Sequence, residues 1–209
     1  MIEEAMTTMK RYALLGTLLV SGALAGPANA ATMTDQVLLW PTYGLTPNGR
    51  QDLFLYYTKQ YWLSPAWGIF TFYNTSQSLT LRGMYKTALG ESGVTGTVMA
   101  GWRFTGMGNN LVIPANNAPR QGPEVALVLA KSLWSGGSLS AMGSAARLWD
   151  WNTPGNEASM LYYYGASYNH QVTPTTTLSI GLLGAVHQFD TAGLKFHDLG
   201  PTLGVTQAF

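Results

Sequence analysis

Four basic side chains are the first candidates for chemistry. Arg82 and Lys86 share one face of an alternating segment, Arg103 stands on the matching face of the next, and Arg147 follows further along. A tight turn around Glu91-Ser92-Gly93 sets Arg82 opposite roughly residue 101, so Arg82 and Arg103 become neighbours across a strand ladder. Like charges held side by side repel unless an anion, a carboxylate or water separates them. Two readings stay open. One is a basic constriction that favours anionic solutes. The other is an ion-pair and water network that fills an interior, with Asp52, Glu124 or Glu157 supplying the carboxylates. Lys131 either points inward with them or snorkels to an interface.

A second cluster is His187 and Asp190 with His197 and Asp198. Antiparallel pairing of the two segments that carry them sets His187 close to Asp198. A His–Asp pair can act as a general base, and two His with two Asp have the ligand types of a metal site. No serine has sequence neighbours that mark it as a nucleophile. The Gly-x-Gly spacings sit in strands with no helix after them, so they are not phosphate loops. Catalysis at this cluster ranks third among the functional readings, and no metal or cofactor is assigned.

The elements that position these residues have a period of two. Leu79, Leu81, Gly83 and Tyr85 alternate with Thr80, Arg82, Met84 and Lys86; Val98, Ala100, Trp102 and Phe104 alternate with Thr97, Met99, Gly101 and Arg103. The same pattern runs through 158–170 and 176–187. Each segment has one apolar face and one small or polar face, as spanning strands do when lipid lies on one side. About ten such segments are expected, near 35–44, 51–62, 67–74, 78–88, 95–105, 123–133, 138–149, 158–170, 176–187 and 198–209. Their connections alternate. Leu63-Ser-Pro-Ala, Gly90-Glu-Ser-Gly, Ser135-Gly-Gly and Val172-Thr-Pro-Thr are short, whereas the longest loops, such as 106–122, all fall in the other set. Trp62, Trp67 and Trp134, with Tyr168, gather at the short-turn ends, and Trp102, Trp149 and Trp151, with Phe104 and Tyr73, at the long-loop ends, which predicts two interfacial girdles. Trp40, in mid-segment, fits neither. In the longest loop, Leu111-Val-Ile113 is expected either to extend a strand or to fold into the mouth as a lid.

Composition narrows the class. Charged residues make up 10% of the chain, against about 25% in soluble domains, and the net charge is +1. That balance gives no reason to expect a nucleic-acid partner. From Met9, a short basic region at Lys10-Arg11, an apolar stretch and Ala28-Asn29-Ala30 read as an export leader cut after Ala30, with Met9 rather than Met1 as the expected start. The chain has no cysteine, so an exported product must be held by something other than disulfides, and a closed hydrogen-bonded barrel is one answer.

The last segment carries a resemblance. Thr202, Gly204 and the aromatic Phe209 resemble the C-terminal assembly signal of the small bacterial outer-membrane β-barrels of the porin-like superfamily, with a departure at Gln207 where an apolar residue is usual. The resemblance implies an all-β fold, an antiparallel up-and-down transmembrane barrel of about ten strands, with eight or twelve as alternatives. It implies residues 1–30 as a removed leader and 31–209 as one barrel domain in the outer membrane of a Gram-negative bacterium. Outer-membrane lipid and the barrel assembly machinery are the partners it implies, and a monomer is expected. Ten strands make a narrow barrel, close to the eight-stranded size that side chains fill. The leading functional expectation is a narrow channel or transport protein for small solutes, leaning toward anions and lined by Arg82, Lys86, Arg103 and Arg147. The rival is a non-conducting structural or surface-interaction barrel, and an enzyme at the His–Asp rim comes third.

Overall fold

The computed structural model describes residues 32–44, 51–74, 78–105, 119–134, 136–150, 158–190 and 195–209. The expected leader, Leu111-Val-Ile113, Trp151, Glu157 and the side chain of Asp52 lie outside the described residues.

The described residues form ten strands: β1 (Thr32–Gly44), β2 (Gln51–Trp62), β3 (Trp67–Asn74), β4 (Leu79–Ala88), β5 (Val94–Thr105), β6 (Arg120–Trp134), β7 (Gly137–Asp150), β8 (Ser159–Gln171), β9 (Thr176–Phe189) and β10 (Lys195–Ala208). Each strand pairs antiparallel with its neighbours in sequence, and β10 pairs with β1 to close the barrel. Closure leaves no free edge, the condition for a sheet to cross a bilayer, because backbone groups find no partner in hydrocarbon. All ten segments expected from alternation are present. Several run further than expected, notably at the starts of β6 and β10.

The wall has two distinct faces. Val37, Leu39, Leu53, Leu55, Leu81, Val98, Val125, Leu127, Ile180, Leu182, Leu203 and Val205 are all exposed on the outside, giving a continuous apolar belt. No soluble fold leaves such a band open to water, and a lipid-facing barrel requires one. The termini of the barrel, at Thr32 and Ala208, lie at the end that also carries the short turns. We label that end inner, after the periplasmic side on which outer-membrane barrels keep their short turns. Trp67 stacks near Tyr85 and Trp134 near Tyr168 at the inner end, while Trp102 meets Trp149 edge-on at the outer end. These are the two aromatic girdles. Trp62 is a correction to that set: it continues the inward row of Phe54, Tyr56 and Thr58 and packs inside the inner mouth.

Two local features matter for the site. The β4–β5 turn closes with Leu89 N–H donating to Val94 at 2.8 Å, and Gly90 and Gly93 hold it in left-handed conformations, with φ of 67° and 70°. A side chain at Gly101 would collide with the backbone of Leu81, so this glycine lets β4 and β5 approach closely beside Arg103. The seam between β1 and β10 pairs over Thr34–Leu39 and again at Tyr43–Gly44. The break between them holds Pro41 on β1 and, in the same register, Pro201 on β10.

Candidate functional site

The interior is filled by side chains, most densely toward the outer end. Trp40 is 2% exposed and packs with Phe54, Tyr56, Leu183 and Ala185, with Phe72 and Tyr163 against them. The rings of Trp40 and Tyr56 lie 5.5 Å apart, and those of Tyr56 and Phe72 5.1 Å apart. The mid-strand position of Trp40, which suited no girdle, therefore belongs to the core of the lumen. A second cluster of Phe70, Met84, Met99 and Ala126 continues the filling toward the inner end.

A buried ion cluster joins this aromatic layer. Arg82 on β4 grips Glu124 on β6 with two bonds: Nε donates to Oε2 at 3.1 Å and Nη2 lies 2.6 Å from Oε1. Arg103 on β5 donates to the same Oε1 from Nη2 at 2.7 Å. The register explains the meeting. Arg82 sits opposite Gly101, which sits opposite Glu124, so one row across three strands brings the carboxylate between the two guanidiniums. All three residues are nearly inaccessible, with Arg82 at 4%, Arg103 at 1% and Glu124 at 2% exposure. Arg103 is further held over the rings of Phe72 and Tyr163, at 5.1 and 4.8 Å, and Arg82 over Phe70 at 5.1 Å. Cation–π contact of this kind offsets part of the cost of removing a guanidinium from water.

The expected pairing of Arg82 with Arg103 is present, with Glu124 as its counter-charge. Lys86 stays apart at the inner mouth, exposed, with its ammonium 5.2 Å from the centre of the Trp62 ring. Arg147 is a correction. Ser144, Ala146 and Leu148 are buried inward on β7, so Arg147 points outward, 45% exposed, and pairs with Asp190. Lys131 is also exposed, in step with the outward residues of β6, and snorkels to the inner interface. Sequence reasoning did not single out Arg120 and left Trp40 without a place. Arg120 is buried near the outer end with its guanidinium 4.5 Å from the centre of the Phe189 ring. A basic residue two positions before Gly122-Pro123 was a signal for a strand start that the Gly-Pro pair obscured.

The four members of the His–Asp cluster do not come together as one group. His187 lies opposite Phe196, and Asp198 lies opposite Ala185. His187 faces the lumen, where its Nε2 is 2.9 Å from the hydroxyl of the fully buried Ser159. His197 is on the outward face and bonds to the Tyr164 hydroxyl, and Asp190 is taken by Arg147. The barrel wall separates the two histidines. No group of three metal-ligating side chains occurs among the described residues. Of the expected assembly-signal residues, Thr202 and Gly204 face inward on β10, and the backbone N–H of Phe209 donates to Met33 at 2.9 Å, with its ring exposed at the inner girdle.

No family model matches the chain, and no curated protein matches it. Among solved structures, an outer membrane channel from Pseudomonas putida F1 superposes with a TM-score of 0.49 at 13% identity, covering 90% of this chain and 98% of that one. The outer membrane protease OmpT from Escherichia coli gives 0.47 at 10% identity, covering 87% and 98%. Ail, the attachment invasion locus protein of Yersinia pestis, gives 0.30 at 11% identity, covering 87% and 100%. Likeness at these identities concerns the barrel alone, and the three activities remain those proteins' own. Closure without an edge and an uninterrupted apolar belt place the wall in lipid. The chain is a ten-stranded antiparallel β-barrel whose wall spans a membrane.

Proposed function

We propose that this protein is a shut barrel that passes no solute and serves as a membrane-anchored scaffold acting from its outer rim. One observation carries the reading. Arg103, 1% exposed, is tied to Glu124 and lies against Phe72 and Tyr163 at the level any solute path must cross. A conducting lumen needs a hydrated, polar lining. Here Trp40, Tyr56, Phe72 and Leu183 occupy that level instead. An anion-leaning channel would need Arg82 and Arg103 open to solute, and both are engaged by one carboxylate. The separation of His187 from His197 removes support for an enzyme at the rim. Delivery by the barrel assembly machinery and a monomeric state are part of this reading.

Planar-bilayer recording tests it. The folded full-length protein should give no unitary events above the lipid baseline in potassium chloride. The double variant Phe72→Ala/Tyr163→Ala, which strips both rings from Arg103, should introduce them. Regular unitary steps from the unaltered protein would refute the proposal.

A further inference from the structure

The buried ion cluster is not neutral. Arg82 holds both oxygens of Glu124 and so matches its charge alone. Arg103 shares one of those oxygens through Nη2 only. Its Nε and Nη1 are buried and have no hydrogen-bond partner among the described residues. Directly across the β4–β5 ladder stands Thr80, which is 0% exposed, and its Oγ1 also has none. Both side chains face the lumen, so unserved guanidinium N–H groups and a hydroxyl that can also donate stand on the same side of the wall.

Such an arrangement is costly if left as it stands. An unmatched guanidinium in a low-dielectric interior carries a desolvation penalty of several kcal/mol, and each unsatisfied buried donor adds to it. The aromatic rings of Phe72 and Tyr163 meet the faces of the guanidinium and leave the in-plane N–H groups unserved. Water would satisfy the donors and leave the charge. A small anion would satisfy both.

We propose that Arg103 and Thr80 bind a small monovalent inorganic anion of the halide class inside the barrel. One guanidinium charge left unmatched calls for one negative charge, hence a monovalent ion. The site stands whether or not the lumen conducts, because it depends on local charge and not on a through-path.

The test uses the full chain folded in detergent micelles in sodium gluconate, with sodium chloride or bromide exchanged in at constant ionic strength. The unfolding midpoint should rise with halide and saturate, as binding to the native state alone requires. Crystals grown with bromide should show one anomalous peak within hydrogen-bond distance of Arg103 Nε and Thr80 Oγ1. Thr80→Val keeps the shape and removes one donor, so it should weaken halide binding about tenfold. Arg103→Met should abolish the halide effect; should that variant fail to fold, Thr80→Val still decides. A midpoint indifferent to halide, or density at the position without a bromide signal, overturns the proposal and identifies the occupant as water.

Discussion

Glu124→Gln is the most informative single change. Glutamine matches glutamate in shape, so packing around the site is kept while the negative charge is lost. The carboxylate accepts from Arg82 at 3.1 and 2.6 Å and from Arg103 at 2.7 Å. After substitution one of its acceptors becomes an amide donor aimed at guanidinium donors, and two buried cations face each other unmatched. Removing one member of a buried pair costs about 3–5 kcal/mol. One carboxylate here serves two guanidiniums, so the upper end applies, about 5 kcal/mol. For a chain of this size that lowers the unfolding midpoint by about 10–20 °C. The assay is urea and thermal unfolding in micelles, read by tryptophan fluorescence and by the heat-modified gel mobility of a folded barrel. Arg82→Met added to Glu124→Gln removes one stranded cation, so the double variant should be more stable than the sum of its single effects. A Glu124→Gln midpoint within about 1 kcal/mol of the unaltered protein would refute the charge argument, because the cluster would then be hydrated.

Three further outcomes follow from the same geometry. Leu127→Arg places a charge on the lipid face of β6 and should cost about 2–4 kcal/mol near the bilayer midplane, measured by unfolding from liposomes. Gly101→Ala should cost about 1–3 kcal/mol because its methyl meets the Leu81 backbone, whereas Gly83→Ala, with its nearest neighbour at 3.9 Å, should stay within about 0.5 kcal/mol by the same measurement. Arg147→Ala breaks only an exposed pair with Asp190 and should change stability by less than about 1 kcal/mol and leave bilayer conductance at baseline.

The strands were legible because lipid on one side enforces a period of two, and residues such as Leu79, Leu81, Val98 and Ile180 repeat it clearly. Arg147 was not. On β7 both faces are apolar or small, with Ala146 and Leu148 inward and Leu139 and Ala141 outward, so alternation gives no phase. The expectation of a polar lumen then drew the charged residue inward, whereas this lumen is aromatic at that level. Trp40 escaped assignment for the same reason. The histidines depended on register: His187 stands directly opposite Phe196, with Asp198 two places further along β10, and a hairpin's register is set by its loop geometry. Glu124 was one of three carboxylates in play, and only the β4–β5–β6 register selects it.

The facing prolines of the closing seam make its ladder discontinuous. Proline offers no N–H, so neither Pro41 nor Pro201 can donate across this stretch. The pairing of Tyr43–Gly44 with Leu199–Asp198 is thus a short island beyond the main zipper of Thr34–Leu39. An island can detach without unzipping the rest, and its local opening free energy falls well below that of the whole barrel. The closing seam is therefore the least continuous of the ladders that hold the barrel shut.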